Sequence, residues 1–150
     1  MRLTRFTDYC LRALIFVALK DGEIATIDEI AERHRINRNH LVKVVFRLGQ
    51  LGYLDTMRGK GGGVRLAKDP ARINLGRLVR ETEDDLALVE CFQDRDCLCV
   101  IAPACVLRTA LHQALEAFLR TLDGYTIADL LKPGRNLARL LALPQPGDRP

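Results

Sequence analysis

The sequence predicts a mainly α-helical protein, with a winged helix-turn-helix head, then a cysteine-bearing loop, then a long helix with an apolar seam. Three observations carry that prediction. Residues 5–50 show three successive helical repeats separated by turn signals, a glycine-rich hairpin follows at residues 53–67, and an uninterrupted helical pattern returns at about residues 103–122. With 150 residues and 48% hydrophobic side chains, the chain can bury a core of its own.

In the first element, Phe6, Cys10, Ala13, Leu14 and Val17 recur at three- and four-residue steps until Asp21 and Gly22 interrupt them. Thr26 and Glu29 then form a capping box ahead of Ile27, Ile30 and Ala31, which predicts a short second helix ending near His34. Asn37 caps a third helix whose buried stripe reads Leu41, Val44, Val45 and Leu48, with Gly52 as its stop. Two short strands are expected at 53–57 and 64–67, joined by a turn from Arg58 to Gly63 that contains four glycines. A further helix fits Leu75 to Thr82. The acidic stretch from Glu81 to Asp96 reads as a loop, because it holds seven acids and one base, Arg95. Beyond it, Leu107, Leu111, Ala114 and Phe118 step by four, three and four along one helix face, a seam suited to a partner helix. Four of the six prolines fall between Pro133 and Pro150, which predicts a flexible tail. The expected organisation is a head at 1–82, a loop at 83–106, a dimerisation helix with a short following helix at 107–132, and the tail at 133–150.

Charge divides the chain sharply. Residues 1–80 hold 16 Lys and Arg against 8 Asp and Glu, whereas residues 81–150 hold 7 against 11, although the whole carries only +4. Between Arg33 and Lys68 stand nine basic residues and a single acid, Asp55. A solvated basic face is the plain reading of such a run, but its place on a helix-turn-helix and a hairpin points to phosphates. An α-helix fits the major groove, so Arg38, Asn39, His40 and Lys43 on the third helix are candidate DNA contacts, with Arg38 and Asn39 as candidate base readers. Arg58 and Lys60 on the wing are candidates for a narrow, A·T-rich minor groove. The glycine turn fits neither the spacing nor the strand-to-helix setting of a mononucleotide loop.

No segment is apolar enough to span a membrane, and the N-terminus leads into an amphipathic helix rather than an apolar leader; together these predict a cytoplasmic protein. Four of the five cysteines, Cys91, Cys97, Cys99 and Cys105, lie within fifteen residues. In a reducing compartment that clustering favours metal or redox chemistry over disulfides. Zinc on four thiolates is one reading. The gaps of five, one and five residues contain no Cys-x-x-Cys knuckle, and suit an iron-sulfur core held by scattered loop ligands. Cys10, on the apolar face of the first helix, reads as a small buried hydrophobe. No nucleophile is paired with a base, and His34, His40 and His112 read as surface residues, so no enzymatic activity is expected.

Taken together, LTRFTDYCLRAL, NRNHLVKVVFRLGQLGYLDTMRGKGGGVRLAK, LVEC, CVIAPACVLRTAL and LDGYTIADL resemble the Rrf-type family of iron-sulfur winged-helix regulators, from Met1 to about Leu131. The resemblance implies a homodimeric transcriptional repressor on double-stranded operator DNA, an A·T-rich inverted repeat, and an iron-sulfur cluster, 4Fe-4S rather than 2Fe-2S. It matches Cys91, Cys99 and Cys105 to the family's three cysteine ligands and Asp8 of FTDY to a fourth ligand supplied by the other subunit. Cys97 stays open as an alternative to Cys99, since the seven-residue gap from Cys91 to Cys99 departs from the family spacing and Cys97 restores a five-residue gap. Arg108 stands where the cluster-assembly branch places a histidine ligand, so the resemblance points to the branch that senses nitric oxide; a response to iron status is the alternative.

Overall fold

The computed structural model describes residues 2–93 and 97–143. The head is built on α1 (Arg5–Leu19), α2 (Ile27–His34) and α3 (Arg38–Gln50), followed by the antiparallel strands β1 (Leu54–Met57) and β2 (Gly63–Leu66). Helix α4 (Leu75–Thr82) leads into an irregular segment with a 3-10 turn at Glu90–Phe92; another turn at Ala102–Ala104 precedes α5 (Val106–Asp123), α6 (Ile127–Leu130) and α7 (Gly134–Leu140).

The helices begin where their caps dictate. Thr4 Oγ1 accepts the Thr7 amide at the start of α1, Thr26 and Glu29 close a reciprocal capping box at α2, and Asn37 Oδ1 accepts the Asn39 amide at α3. Arg35 ends α2 in the left-handed conformation, at φ 55°, which turns the chain sharply enough for α3 to cross α2. Leu54 pairs with Leu66 and Met57 with Gly63 in the hairpin, and Ala25 adds a bridge to Val64 through two backbone bonds of 2.9 and 2.7 Å. The wing is thereby fastened to the turn between α1 and α2.

The main core joins the head to α6 and the end of α7. Cys10, Leu14, Phe16 and Val17 of α1 pack with Ile30, Leu41, Val44, Leu48, Val64, Leu78 and Ile127, all essentially inaccessible to solvent. Each such aliphatic or aromatic side chain contributes about 1.5–3 kcal/mol by leaving water. Burial also pushes the Cys10 thiol up to about 12, with the nearby Arg47 charge opposing, so Cys10 is the inert filler its place on the apolar face suggested.

Two sequence expectations change. The long helix starts at Val106 rather than near Pro103, with Cys105 as its cap. The region expected to be a tail contains α7: Ala138 is buried and Leu141 and Leu143 pack on the main core. Proline density misled there, because Pro133 ends the preceding turn, next to the start of α7, where its missing amide costs no helical bond. The tail expectation for 144–150 lies outside the described residues.

Candidate functional site

Helix α3 carries no acidic residue in its first turn and presents Asn39, Lys43 and Phe46 on the side away from its buried stripe. The predicted contacts are not equivalent. Arg38 turns sideways and its Nε donates to Asp28 Oδ1 at 2.6 Å, a pair with both side chains more than half exposed. His40 stands edge-on to Tyr9 of α1, with ring centroids 6.1 Å apart. Asn39 and Lys43 remain exposed on the outward face. On the wing, Arg58 and Lys60 are exposed at the tip, and Gly59 and Gly61 adopt φ of 99° and 80°. A Cβ at Gly62 would collide with the Met57 and Gly59 carbonyls, so the tight tip requires glycine there.

A polar network fixes α3 against α4. Tyr53 donates to Glu81 Oε2 at 2.5 Å, Arg77 donates to Glu81 Oε1 at 2.8 Å, and Arg47 donates to the Glu81 carbonyl at 3.2 Å. Burial and the Glu81 carboxylate together push the Tyr53 hydroxyl well above its ordinary pKa. Burial would raise the Glu81 carboxyl, but the bonds from Tyr53 and Arg77 outweigh it and hold the group below the usual carboxylate value.

The cysteines sit on the opposite part of the chain. Cys91 is buried in the turn Glu90–Phe92, whose Phe92 ring lies 5.8 Å from that of His112 on α5. Cys97 and Cys99 are half-buried in irregular backbone. Cys105 Sγ accepts the Arg108 amide at 3.4 Å, so the positive end of α5 faces that sulfur. Among the described residues, no three His, Cys, Asp or Glu side chains are placed to hold a metal ion. Asp8 is engaged elsewhere: both its oxygens meet Arg12, at 3.0 and 2.8 Å, and its side chain is 40% exposed.

The start of α1, which carries Asp8, is nonetheless bonded to the beginning of the cysteine-bearing segment. Thr4 donates to Glu83 Oε1 from both its amide, at 2.8 Å, and its hydroxyl, at 3.0 Å, while the buried Thr7 hydroxyl donates to Thr82 at 3.0 Å. Sequence reading missed this clasp. Thr4 and its partner Glu83 lie 79 residues apart, and no local pattern links them. The donor types suit an iron-sulfur group: thiols closely spaced in sequence, with Cys97 and Cys99 on irregular backbone and Cys105 capping α5.

Leu115 and Leu119 of α5 are buried against Val79 of α4, whereas Leu107 and Ala114 of the predicted seam stay exposed and Leu111 and Phe118 are half-buried. Leu111 and Phe118 also border a cavity of about 550 Å³ between α5 and the N-terminus, lined in addition by Leu3, Leu86 and Leu88. Among the described residues, no helix is long and apolar enough to cross a membrane.

The family described as "Rrf2: Iron-dependent Transcriptional regulator" matches residues 3–133. The HTH-type transcriptional regulator NsrR of Bacillus subtilis is 52% identical over 95% of this chain and 99% of its own. Its namesake from Geobacillus kaustophilus is 54% identical over 94% and 97%. Among solved structures, T. potens IscR superposes with a TM-score of 0.69 at 24% identity, covering 89% of this chain and 88% of its own. CymR, the global cysteine regulator of B. subtilis, gives 0.68 at 25% identity over 87% and 95%.

Proposed function

The chain belongs to the Rrf2 family of iron-dependent transcriptional regulators, and from that premise we propose that it is a homodimeric repressor whose iron-sulfur cluster senses nitric oxide and thereby releases operator DNA. The observation that carries this reading is the clasp of Thr4 and Thr7 to Glu83 and Thr82, which joins the cysteine-bearing segment to the helix that packs behind α3. Its high identity to relatives named NsrR over nearly the whole chain supports the same reading.

Cys91, Cys99 and Cys105 would hold the cluster, 4Fe-4S in the favoured form, with Asp8 of the partner subunit as the oxygen ligand and Cys97 as the alternative to Cys99. When bound, the cluster supplies iron that takes up nitric oxide. To serve as a ligand, Asp8 would give up its two contacts with Arg12, and as a hard carboxylate among soft thiolates it would be the member of this set most readily displaced by nitric oxide. Movement of Asp8 acts on α1, and α1 packs directly on the buried stripe of α3. The exposed seam of Leu107 and Ala114 would pair across the dimer axis and set two α3 helices at half-site spacing on an A·T-rich inverted repeat. Asn39 and Lys43 approach base edges, Arg38 and His40 flank them, and Arg58 and Lys60 reach the minor groove.

Metal and sulfide analysis of protein purified without oxygen tests the cofactor, together with spectra of the single Cys→Ser variants. Iron with acid-labile sulfide, lost in C91S, C99S and C105S but kept in C97S, is expected; zinc without sulfide contradicts the proposal. The family's description as iron-dependent favours one second reading, a response to iron supply. In that case DNA affinity tracks iron chelation and ignores nitric oxide.

A further inference from the structure

On the outward face of α3, Phe46 is 65% exposed and Val42 is 41% exposed. They do not belong to the helix's buried stripe of Leu41, Val44, Val45 and Leu48. Asn39, Val42, Lys43 and Phe46 fall at i, i+3, i+4 and i+7, so the two apolar side chains share one strip with a polar reader and a cation. A phenylalanine left in water on a well-packed helix gives up the burial that its ring would otherwise contribute. The surroundings specify what should cover it. Lys43 and Arg47 border the strip, α3 has no acidic residue, and the adjoining wing adds Arg58 and Lys60. A neutral lipid surface or an uncharged protein partner would match the apolar residues alone, and two apolar side chains bury too little area to anchor a helix in an anionic membrane. The major groove of B-DNA matches both, because thymine places a methyl group among acceptor atoms and between two rows of phosphates.

We propose that Val42 and Phe46 form a thymine-reading strip that packs on C5-methyl groups in the major groove, so that part of the sequence preference is apolar rather than hydrogen-bonded. The proposal rests on the reading of α3 as the DNA-contacting helix. It deepens that reading by naming the chemical group recognised.

The test uses full-length, anaerobically purified protein to select a preferred duplex from a random-sequence library. That duplex is then remade with deoxyuridine in place of each thymine in turn, which removes only the methyl group. Wild-type protein is expected to lose roughly four- to tenfold in affinity at one or two positions in each half-site, the size expected for one buried methyl group. Phe46→Ala should bind the thymine and uracil duplexes alike at one of those positions, Phe46→Leu should restore part of the preference, and circular dichroism should show both variants folded. Wild-type indifference to every uracil replacement overturns the strip, as does a Phe46→Ala protein that keeps the full penalty. A change of oligomeric state in Phe46→Ala also overturns it, by assigning the face to protein contact. Failure to select any duplex overturns the underlying DNA reading instead.

Discussion

Glu29 ties the start of α2 to the end of α1 with one carboxylate. Its Oε2 accepts the Thr26 amide at 2.7 Å, closing the capping box of α2, while Lys20 donates to both oxygens at 3.0 and 3.2 Å from the end of α1. Burial alone would raise this carboxyl, but the Thr26 and Lys20 bonds prevail and hold it below its ordinary value of 4.5. Because the folded pKa is the lower one, its stabilising contribution is complete above the unfolded value and fades as pH falls through the folded value. Thermal unfolding at decreasing pH below about 5 should therefore lower the wild-type midpoint more steeply than that of Glu29→Gln. Parallel curves would remove Glu29 from the acid response. On the reading face, Asn39→Ala should cost about 1–3 kcal/mol of discrimination between selected and random duplexes, whereas Lys60→Ala should weaken both alike. Titrations on the two DNAs distinguish these outcomes. The capping box was legible in the sequence because Thr26 and Glu29 are three residues apart. The sideways turn of Arg38 onto Asp28 was not, since it depends on the left-handed Arg35 that sets the angle between α2 and α3.

At the scale of elements, the wing shows how a local signal acquires a distant partner. The glycines of residues 59–63 announced a hairpin, and the observed strands follow it within a residue or so at each end. The bridge from Val64 to Ala25 could not be read, because an isolated residue between two helices has no periodicity. That bridge makes Gly63 indispensable: an added Cβ would run into the Ala25 carbonyl and Ile24. Gly63→Ala should destabilise the protein by about 1–3 kcal/mol in denaturant titrations. Gly134→Ala, which meets open space, should leave the midpoint unchanged. Equal midpoints for both variants would mean that β2 stands clear of Ala25.

For the whole molecule, α5 has two faces with different fates. Leu115 and Leu119 close onto α4, and the end of the helix is pinned there by paired bonds of 2.6 and 2.9 Å from Arg80 to Asp123. On the proposed homodimer the seam of Leu107, Leu111, Ala114 and Phe118 meets a second copy, so Leu111→Glu should yield monomers in light scattering and weaken DNA binding strongly. A wild-type protein that is monomeric at micromolar concentration and still binds its duplex fully would contradict that assignment. The head was almost wholly legible because helix periodicity, caps and glycines are local signals. The clustering of Cys91, Cys97, Cys99 and Cys105 was legible in the sequence, but their placement in space was not, because gaps along a loop do not fix which thiols face one another.

If nitric oxide at a cysteine-held cluster lowers DNA affinity through α1, as proposed, fluorescence anisotropy on a labelled selected duplex will register the loss. Anaerobic wild-type protein is titrated with nitric oxide while visible absorbance follows the iron. Affinity should fall about a hundredfold as the absorbance changes, a coupling of about 2.8 kcal/mol, and Asp8→Ala should show a much smaller response. Unchanged affinity after the iron spectrum has fully responded to nitric oxide would show that cluster and DNA-binding head are not coupled.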